Sequence, residues 1–240
     1  MCAASNCLIR SEALVSRAPQ TLASIQADFD RIALLTAENA GHDFRYRDYL
    51  LGRIPDHCTD VLEIGCGTGE FSRLLATRAN KVVAVDLAPQ MIHVARREST
   101  SHPNIEFVNG DIMSLNFREQ QFDCIVSMTT FHHLPAETIF RKVKEWLKPG
   151  GTFAGLDLYR RSTVSDWISD AVAYPLSLCV RLINSGQLRA PRELRVAYDE
   201  HGKTDTYLSL REVREICDKV LPGAVVRRHL FWRYSIVWKK

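Results

Sequence analysis

The chain has 240 residues, of which 46% are hydrophobic and 25% are charged, and its formal net charge is +3. These proportions are typical of a globular protein and exclude a collagen-like, low-complexity or largely disordered chain. The near balance of charge gives little support to nucleic-acid binding. No stretch approaches the roughly 20 apolar residues of a membrane span. The seven cysteines form no CxxC pair, which favours a reduced compartment, so the sequence predicts a cytoplasmic protein.

Helices and strands alternate through the first two thirds of the chain. Residues 1–20 are expected to form a flexible lead-in to a single domain over 21–240. Apolar residues at helical spacing predict helices over about 21–37 and 44–53. Within residues 55–157, strands are predicted at 61–64, 81–85, 105–108, 122–127 and 152–157, and helices at 70–79, 89–98 and 136–147. This order indicates βαβ units, and therefore a mostly parallel sheet with helices on both faces.

The pattern changes after residue 157. Residues 158–208 are predicted to form a helical insertion. The final segment, 209–240, begins with a predicted helix over 209–219, where Ser209 and Glu212 have the spacing of a capping box. The strands predicted at 224–230 and 233–238 are too close for a crossover helix and must pair antiparallel. We therefore expect a Rossmann-like, doubly wound α/β domain whose seven-stranded sheet is mostly parallel, with the last strand antiparallel.

A glycine-rich loop follows the first strand. Gly65, Gly67 and Gly69 lie between this strand and a helix, at the crevice where open α/β sheets bind ligands. Glycines allow the backbone to turn sharply and to approach a ligand closely. The third glycine comes four residues after the first, whereas a dinucleotide fingerprint requires five. Glu63, two residues before the loop, suits a ligand ammonium, and Asp86 at the end of the second strand is placed to bind a ribose diol.

The run from Glu63 to Gly69 resembles the first motif of the class I S-adenosylmethionine-dependent methyltransferases. Four further segments match that family in order, at 86–92, 109–112, 122–127 and 147–151, so the resemblance covers residues 61–157. It is similar above all to the small-molecule branch, which includes the methyltransferases of ubiquinone and menaquinone biosynthesis. The resemblance implies S-adenosylmethionine as the cofactor and S-adenosylhomocysteine as the product. It implies a cofactor-binding core over 55–157 and a cover over the substrate in the insertion, 158–208. It also implies these cofactor-binding residues: Tyr46, Glu63, Gly65, Cys66, Gly67, Gly69, Asp86, Leu87, Met91, Asp111, Ile112 and Ser127.

The resemblance assigns each of these residues to one part of the cofactor. Glu63 would meet the ammonium, and Gly65, Cys66 and Gly67 would line the methionyl group. Asp86 would bind the ribose, with Leu87 and Met91 beside the adenine and with Asp111 and Ile112 bracketing the base. Ser127 would lie near the sulfonium. Tyr46, in the helix that precedes the first strand, would reach the carboxylate.

His132 and His133 follow the fourth strand at the same crevice. A histidine there can take a proton from an acceptor hydroxyl or amine near neutral pH. The alternative, which we favour for each residue, is that the histidine hydrogen-bonds a loop carbonyl or packs. We predict no metal site, because an adjacent histidine pair without an HExxH motif or a carboxylate cluster is a poor one.

The insertion supplies the candidate substrate residues Trp167, Tyr174, Tyr198 and His201. Aromatic side chains there would hold an apolar or cationic acceptor. For Trp167 and Tyr174, seven residues apart on a predicted helix, core packing is the favoured interpretation. For residues 199–202 we favour a solvated turn over a polar group that faces the substrate.

The sequence therefore predicts an enzyme that methylates oxygen, nitrogen or carbon of a small molecule, such as a secondary metabolite. The expected assembly is a monomer or homodimer, without nucleic-acid partners. Three alternatives stay open: a non-methyl reaction of the same cofactor, a dinucleotide-dependent oxidoreductase, and a non-catalytic module that binds the cofactor. The glycine spacing and the lack of a Tyr-x-x-x-Lys pair argue against the oxidoreductase.

Overall fold

The computed structural model describes residues 21–36, 44–163, 166, 192–202 and 205–240. Its sheet has seven strands: β1 (Cys58–Ile64), β2 (Ala79–Asp86), β3 (Ile105–Asn109), β4 (Phe122–Met128), β5 (Leu147–Leu158), β6 (Val225–Arg228) and β7 (Arg233–Lys239). The described helices are α1 (Leu22–Thr36), α2 (Phe44–Leu51), α3 (Glu70–Ala76), α4 (Pro89–Glu98), α5 (Ala136–Trp146), α6 (Arg192–His201) and α7 (Leu210–Val220). A 3-10 turn covers Phe131–His133. The predicted lead-in, 1–20, lies outside the described residues.

The strand order is β3-β2-β1-β4-β5-β7-β6. Strands β1 to β5 are parallel, and β7 pairs antiparallel with both β5 and β6. These pairings confirm the predicted α/β sheet and its antiparallel closing strand. The chain order reverses between β1 and β4, so their carboxyl ends flank the crevice in which sheets of this kind bind ligands.

Strand β5 begins earlier than predicted. It includes residues 147–151, which contain Pro149, Gly150 and Gly151 and precede the predicted start of the strand at 152. Gly150 donates a backbone hydrogen bond to the carbonyl of Lys240, and Lys240 donates one to the carbonyl of Gly151. The end of β7 therefore holds this segment in the sheet, although the register of β5 on β4 shifts beside it. At the other end of β5, Asp157 reaches the crevice.

Apolar side chains cover both faces of the sheet. One buried cluster includes Phe122, Trp146 and Phe153 and extends to α5 and α7, and a second lies against α2, α3 and α4. Ser209 and Glu212 make both hydrogen bonds of the predicted capping box at the start of α7. No helix in the described part of the chain is long and apolar enough to cross a membrane.

A third, smaller cluster joins α1, α4 and α6. Its buried members are Ile32, Ala33, Ala88, Met91, Leu194 and Ala197. Because α4 directly follows the end of β2, this cluster holds α1 and α6 beside the rim of the crevice. Two segments far from the central strands in sequence are thus placed next to the predicted site.

Candidate active site

The three glycines of the loop have positive φ angles of 75°, 52° and 75°, which favour glycine. A β-carbon on Gly65 would lie 2.0 Å from Oγ1 of Thr130, and one on Gly69 would lie 3.0 Å from the ring of Phe107. A β-carbon on Gly67 would meet nothing closer than the sulfur of Met91 at 4.0 Å. Gly65 and Gly69 therefore allow close contacts within the protein, while the space beside Gly67 stays open for a ligand.

Asp86 joins this loop to the turn that begins α4. Its Oδ2 accepts a hydrogen bond of 2.8 Å from the backbone of Gly67, and its Oδ1 accepts one of 2.9 Å from Ala88. Burial raises the pKa of the carboxyl, and the backbone hydrogen bonds oppose that effect. Each carboxylate oxygen has a further lone pair, so Asp86 fits the ribose diol for which the sequence predicted it.

The end of β3 lies against the same turn. The Asn109 side chain donates hydrogen bonds to the carbonyls of Asp86 and Leu87. Asp111 accepts hydrogen bonds from the backbone of Met113 and the hydroxyl of Ser114, and Ile112 is buried in the core. The bonds of Asn109 hold the end of β3 against the turn at Asp86 and the half-buried Leu87. The contacts of Leu87, Asp111 and Ile112 with an adenine stay predictions.

Three predicted cofactor residues make hydrogen bonds inside the protein. Glu63 is buried and accepts a hydrogen bond from Ser72. Burial, reinforced by the charge of Asp86, raises the pKa of Glu63 to about 8, although the hydrogen bond from Ser72 lowers it. Ser127 donates to the carbonyl of Ile64 and so joins β4 to β1, and the Tyr46 hydroxyl donates to the carbonyl of Leu230. Their contacts with a cofactor stay predictions.

Cys66 and Met91 are both buried near the loop. Burial, with the charges of Asp86 and Glu63, raises the pKa of the Cys66 thiol, which keeps it neutral. Met91 belongs to the cluster that joins α4 to α1 and α6. Both side chains therefore present apolar surface beside the loop, and their predicted contacts with the cofactor also stay predictions.

Arg47 is a residue that the sequence reasoning missed. Its guanidinium is buried, and Nη1 lies 3.2 Å from Oε2 of Glu70, the first residue of α3 after the glycine loop. Its position next to Tyr46 was the available signal. A buried cation at this place suits an anionic ligand group.

His132 is oriented by Asp157 at the end of β5. Its Nδ1 lies 2.7 Å from Oδ1 of Asp157, and its backbone donates a hydrogen bond of 2.7 Å to Oδ2. A proton on Nδ1 leaves the lone pair of the neutral ring on Nε2. Burial lowers the pKa of His132, but the charge and hydrogen bond of Asp157 and the charge of Asp205 outweigh it and raise the pKa.

His133 has different surroundings. Its Nε2 lies 3.3 Å from Nε2 of His201, whose Nδ1 lies 3.1 Å from Oδ2 of Asp28 in α1. Its Nδ1 is buried and has no hydrogen-bond partner among the described residues. Burial, with the charges of His132 and His201, lowers the pKa of His133 to about 2. This environment opposes protonation and argues against the prediction of His133 as a base.

His201 lies at the end of α6 and is buried. Its ring contacts Phe29 of α1 edge-on, with centroids 4.6 Å apart. The favoured interpretation of residues 199–202 as a solvated turn is therefore wrong, because α1 covers this end of α6. Tyr198 is half-buried and packs against the cluster that joins α1, α4 and α6. Trp167 and Tyr174 lie outside the described residues.

Asp205 completes this group, and the sequence reasoning missed it as well. Its Oδ2 accepts a hydrogen bond of 2.6 Å from Tyr207, whose ring lies 5.0 Å from that of His132. We call the residues that meet here the histidine cluster: His132, His133, His201, Asp157 and Asp205. They come from β5, α6 and two loops, so no local sequence signal could have found the whole set.

Comparisons with known proteins agree with this arrangement. Residues 61–151 match the family described as a methyltransferase domain. A malonyl-[acyl-carrier protein] O-methyltransferase of Halalkalibacterium halodurans is 40% identical over 99 residues, which are 38% of this chain and only 36% of that relative. An uncharacterised methyltransferase of Mycobacterium tuberculosis strain H37Rv is 26% identical over 204 residues, or 82% of this chain and 95% of the relative.

A solved structure shares the fold. The N-methyltransferase NodS from Bradyrhizobium japonicum, in complex with S-adenosylhomocysteine, has a TM-score of 0.59 at 16% identity, over 90% of this chain and 98% of that one. The sheet order and the glycine loop thus define a Rossmann-like cofactor-binding fold. Residues 61–151 therefore match a methyltransferase domain, and the fold is that of the class I, S-adenosylmethionine-dependent type.

Proposed function

We propose that the protein transfers the methyl group of S-adenosylmethionine to an oxygen, nitrogen or carbon atom of a small molecule. The observation that carries this proposal is the contact between the two halves of the site. Gly65 of the cofactor loop lies directly against Thr130, two residues before His132. An acceptor at the histidine cluster would therefore lie beside the methionyl end of the cofactor, as an in-line displacement requires.

The cofactor would be held mainly by the ends of β1, β2 and β3. Asp86 would bind the ribose, the backbone of the glycine loop would line the methionyl part, and Asp111 and Ile112 would bracket the adenine. Glu63 would meet the ammonium directly or through water. We add Arg47, whose buried guanidinium would pair with the carboxylate. When bound, S-adenosylmethionine supplies an activated methyl group and leaves as S-adenosylhomocysteine.

On the acceptor side, His132 would take the proton that an attacking hydroxyl or amine must lose. The hydrogen bond to Asp157 fixes the ring and leaves Nε2 towards the cluster, where Oδ2 of Asp205 lies 3.9 Å away. A general base positioned in this way contributes roughly 10²- to 10⁴-fold to a rate. Helices α1 and α6 cover the cluster, and their proposed effect is to exclude water from the reacting atoms.

The acceptor is proposed as a small molecule in the cytoplasm, and a secondary metabolite fits the small-molecule branch of the family. The relative from Halalkalibacterium is named for a malonyl group on acyl-carrier protein, but the match includes little more than the cofactor-binding core. The choice of acceptor would depend on the insertion, residues 158–208. The mycobacterial relative, whose match includes 82% of this chain, is uncharacterised.

The first experiment is calorimetric titration with S-adenosylmethionine, S-adenosylhomocysteine and NAD in parallel. Binding of the first two alone supports the proposed site, and binding of NAD alone would contradict it. An acceptor screen read by mass spectrometry follows. A product heavier by one methylene unit supports methyl transfer. A product of unchanged mass formed only with the cofactor present would indicate a cyclase-type reaction instead.

A further inference from the structure

Three potential metal ligands converge in the histidine cluster. One atom each from His132, His133 and Asp205 can be chosen so that all three lie within 4.8 Å of one another. Nε2 of His132 is 3.9 Å from Oδ2 of Asp205, and Nδ1 of His133 is 3.7 Å from Oδ1. Ligand atoms around a tetrahedral ion with bonds of about 2.0–2.1 Å lie about 3.4 Å apart. The two distances to Asp205 are thus a few tenths of an ångström too long, and the widest pair of ligand atoms, which lies within 4.8 Å, would close by a larger side-chain movement.

The second nitrogen of each histidine ring already has a partner. Nδ1 of His132 donates to Asp157, which leaves its lone pair on Nε2. Nδ1 of His201 donates to Asp28, so Nε2 of a neutral His201 ring accepts from Nε2 of His133. The lone pair of His133 is then on Nδ1. Histidines that bind metals hold their other nitrogen in this way, and both lone pairs belong to the atoms that converge on Asp205.

The burial of these atoms is the independent observation that points to a ligand. The side chains of His132, His133 and Asp205 are only 5%, 6% and 3% exposed. Nδ1 of His133 nevertheless has no hydrogen-bond partner among the described residues. A buried polar atom without a partner is unfavourable. A bond to a cation would satisfy this nitrogen.

We infer that His132 Nε2, His133 Nδ1 and the Asp205 carboxylate form a binding site for one divalent transition metal ion, of the Zn²⁺ or Fe²⁺ type. Two imidazoles and one carboxylate suit these ions, whereas Mg²⁺ and Ca²⁺ prefer oxygen ligands throughout. Three protein ligands leave a coordination position open. This inference replaces the expectation from sequence that the histidine pair binds no metal, and it does not depend on the proposed methyl transfer.

The test is titration of the metal-stripped protein with Co²⁺, followed by competition with Zn²⁺ and with Mg²⁺. We expect one equivalent of Co²⁺ with a visible spectrum of nitrogen and oxygen ligands and without a thiolate charge-transfer band. A thiolate band would mean that Co²⁺ binds to a cysteine instead, since the described cysteines form no disulfides: Cys58, Cys66, Cys124 and Cys217. Zn²⁺ should displace Co²⁺, and Mg²⁺ should not.

The variants are chosen by the atoms that they keep. His133→Gln retains a donor near the position of Nε2 for the bond to His201 and removes the Nδ1 ligand. His132→Asn retains a donor towards Asp157 and removes Nε2. Each should lower the affinity for Co²⁺ at least tenfold, and Asp157→Asn should lower it about 10- to 100-fold as a partner of a ligand. His57→Asn, at an exposed histidine, should leave the affinity unchanged.

Circular dichroism and binding of S-adenosylhomocysteine would confirm that each variant is folded. Failure of the folded wild-type protein to bind Co²⁺ would overturn the inference. A thiolate band would overturn it too, as would an affinity that the folded His132→Asn and His133→Gln variants retain. If one variant does not fold, the other decides, because each removes one ligand and keeps the neighbouring hydrogen bond.

Discussion

Gly65 and Thr130 are in such close contact that a β-carbon on the glycine would lie within 3 Å of three atoms of the threonine side chain. This contact joins the loop after β1 to the loop after β4. Together with the hydrogen bond from Ser127 to Ile64, it sets the distance between the proposed methyl donor and the histidine cluster. The contact explains why a glycine, and no other residue, fits at the first position of the loop.

Gly65→Ala should therefore destabilise the protein and weaken the binding of S-adenosylmethionine. Gly150→Ala is the matched control, because Gly150 has nearly the same φ of 77° but a β-carbon there would meet nothing within 4 Å. Backbone strain of roughly 1–2 kcal/mol is common to both variants. Only Gly65→Ala adds the clash with the side chain of Thr130. A second substitution, Thr130→Gly, should remove that clash and partly restore stability and cofactor affinity. If Gly65→Ala and Gly150→Ala lose the same free energy of unfolding in denaturant and the same cofactor affinity in calorimetry, this explanation is contradicted.

Asp86→Ala should lower the affinity for S-adenosylmethionine at least tenfold, because the ribose would lose its acceptor and the loop would lose the bond from Gly67. Asp123 provides a matched control. It also accepts two backbone hydrogen bonds, from Thr59 and Asp60, but at the other end of the sheet. Asp123→Ala should lower the free energy of unfolding and leave the cofactor affinity unchanged in calorimetry. Similar cofactor affinities in the two variants would exclude Asp86 from the site.

His132→Asn should reduce kcat about 10²- to 10⁴-fold once an acceptor is known, because the general base would be lost. Asp157→Asn should also reduce kcat, since an amide has one acceptor oxygen and cannot accept from both the backbone and Nδ1 of His132. Binding of S-adenosylmethionine should be retained in both variants, which separates a loss of chemistry from a loss of the cofactor site. A loss below tenfold in His132→Asn would show that the acceptor needs no base.

The proposed metal site predicts inhibition. A Zn²⁺ ion on Nε2 of His132 would occupy the lone pair that is proposed to accept the proton, so Zn²⁺ should abolish methyl transfer and a chelator should restore it. In His133→Gln the inhibition constant should rise at least tenfold, as expected for the loss of one ligand. Activation by Zn²⁺ would contradict His132 as the base and would indicate instead that the acceptor binds at the open coordination position.

Glu63 should make the protein less stable as the pH rises. Its pKa of about 8 lies above the ordinary value of 4.5, so between these values the folded state retains a proton that the unfolded state has lost. The free energy of unfolding then falls with pH by at most about 1.4 kcal/mol per unit from this group. Glu63→Gln should flatten the dependence in denaturant titrations between about pH 5 and 8, whereas the exposed Glu119→Gln should not. If Glu63→Gln leaves the pH dependence of the free energy of unfolding unchanged, the raised pKa of Glu63 is refuted.

The sequence predicted those parts of the fold that depend on neighbouring residues. The bounds of α4 agree with the prediction because Pro89 begins the helix and its apolar residues have helical spacing. The glycine loop was recognisable for the same reason, since its residues are contiguous and each has a separate local requirement. The start of β5 was missed because a long-range pairing with Lys240, rather than any local signal, holds Gly150 in the sheet.

The histidine cluster could be predicted only in part. His132 and His133 are adjacent in sequence, but Asp205 and His201 come about 70 residues later and reach them only because α1 and α6 pack on α4. The sequence contains no periodicity or motif for that contact. A lone histidine in a polar segment is usually solvated, which is why the buried position of His201 was not foreseen.

Ala88 connects the proposed ribose site with the helices beside it. Its backbone amide donates to Asp86, and its buried side chain belongs to the cluster with α1 and α6. A substitution in α1 or α6 that displaces Ala88 would therefore also displace the amide that holds Asp86. The packing of two helices far from the glycine loop in sequence would thus affect the affinity for S-adenosylmethionine.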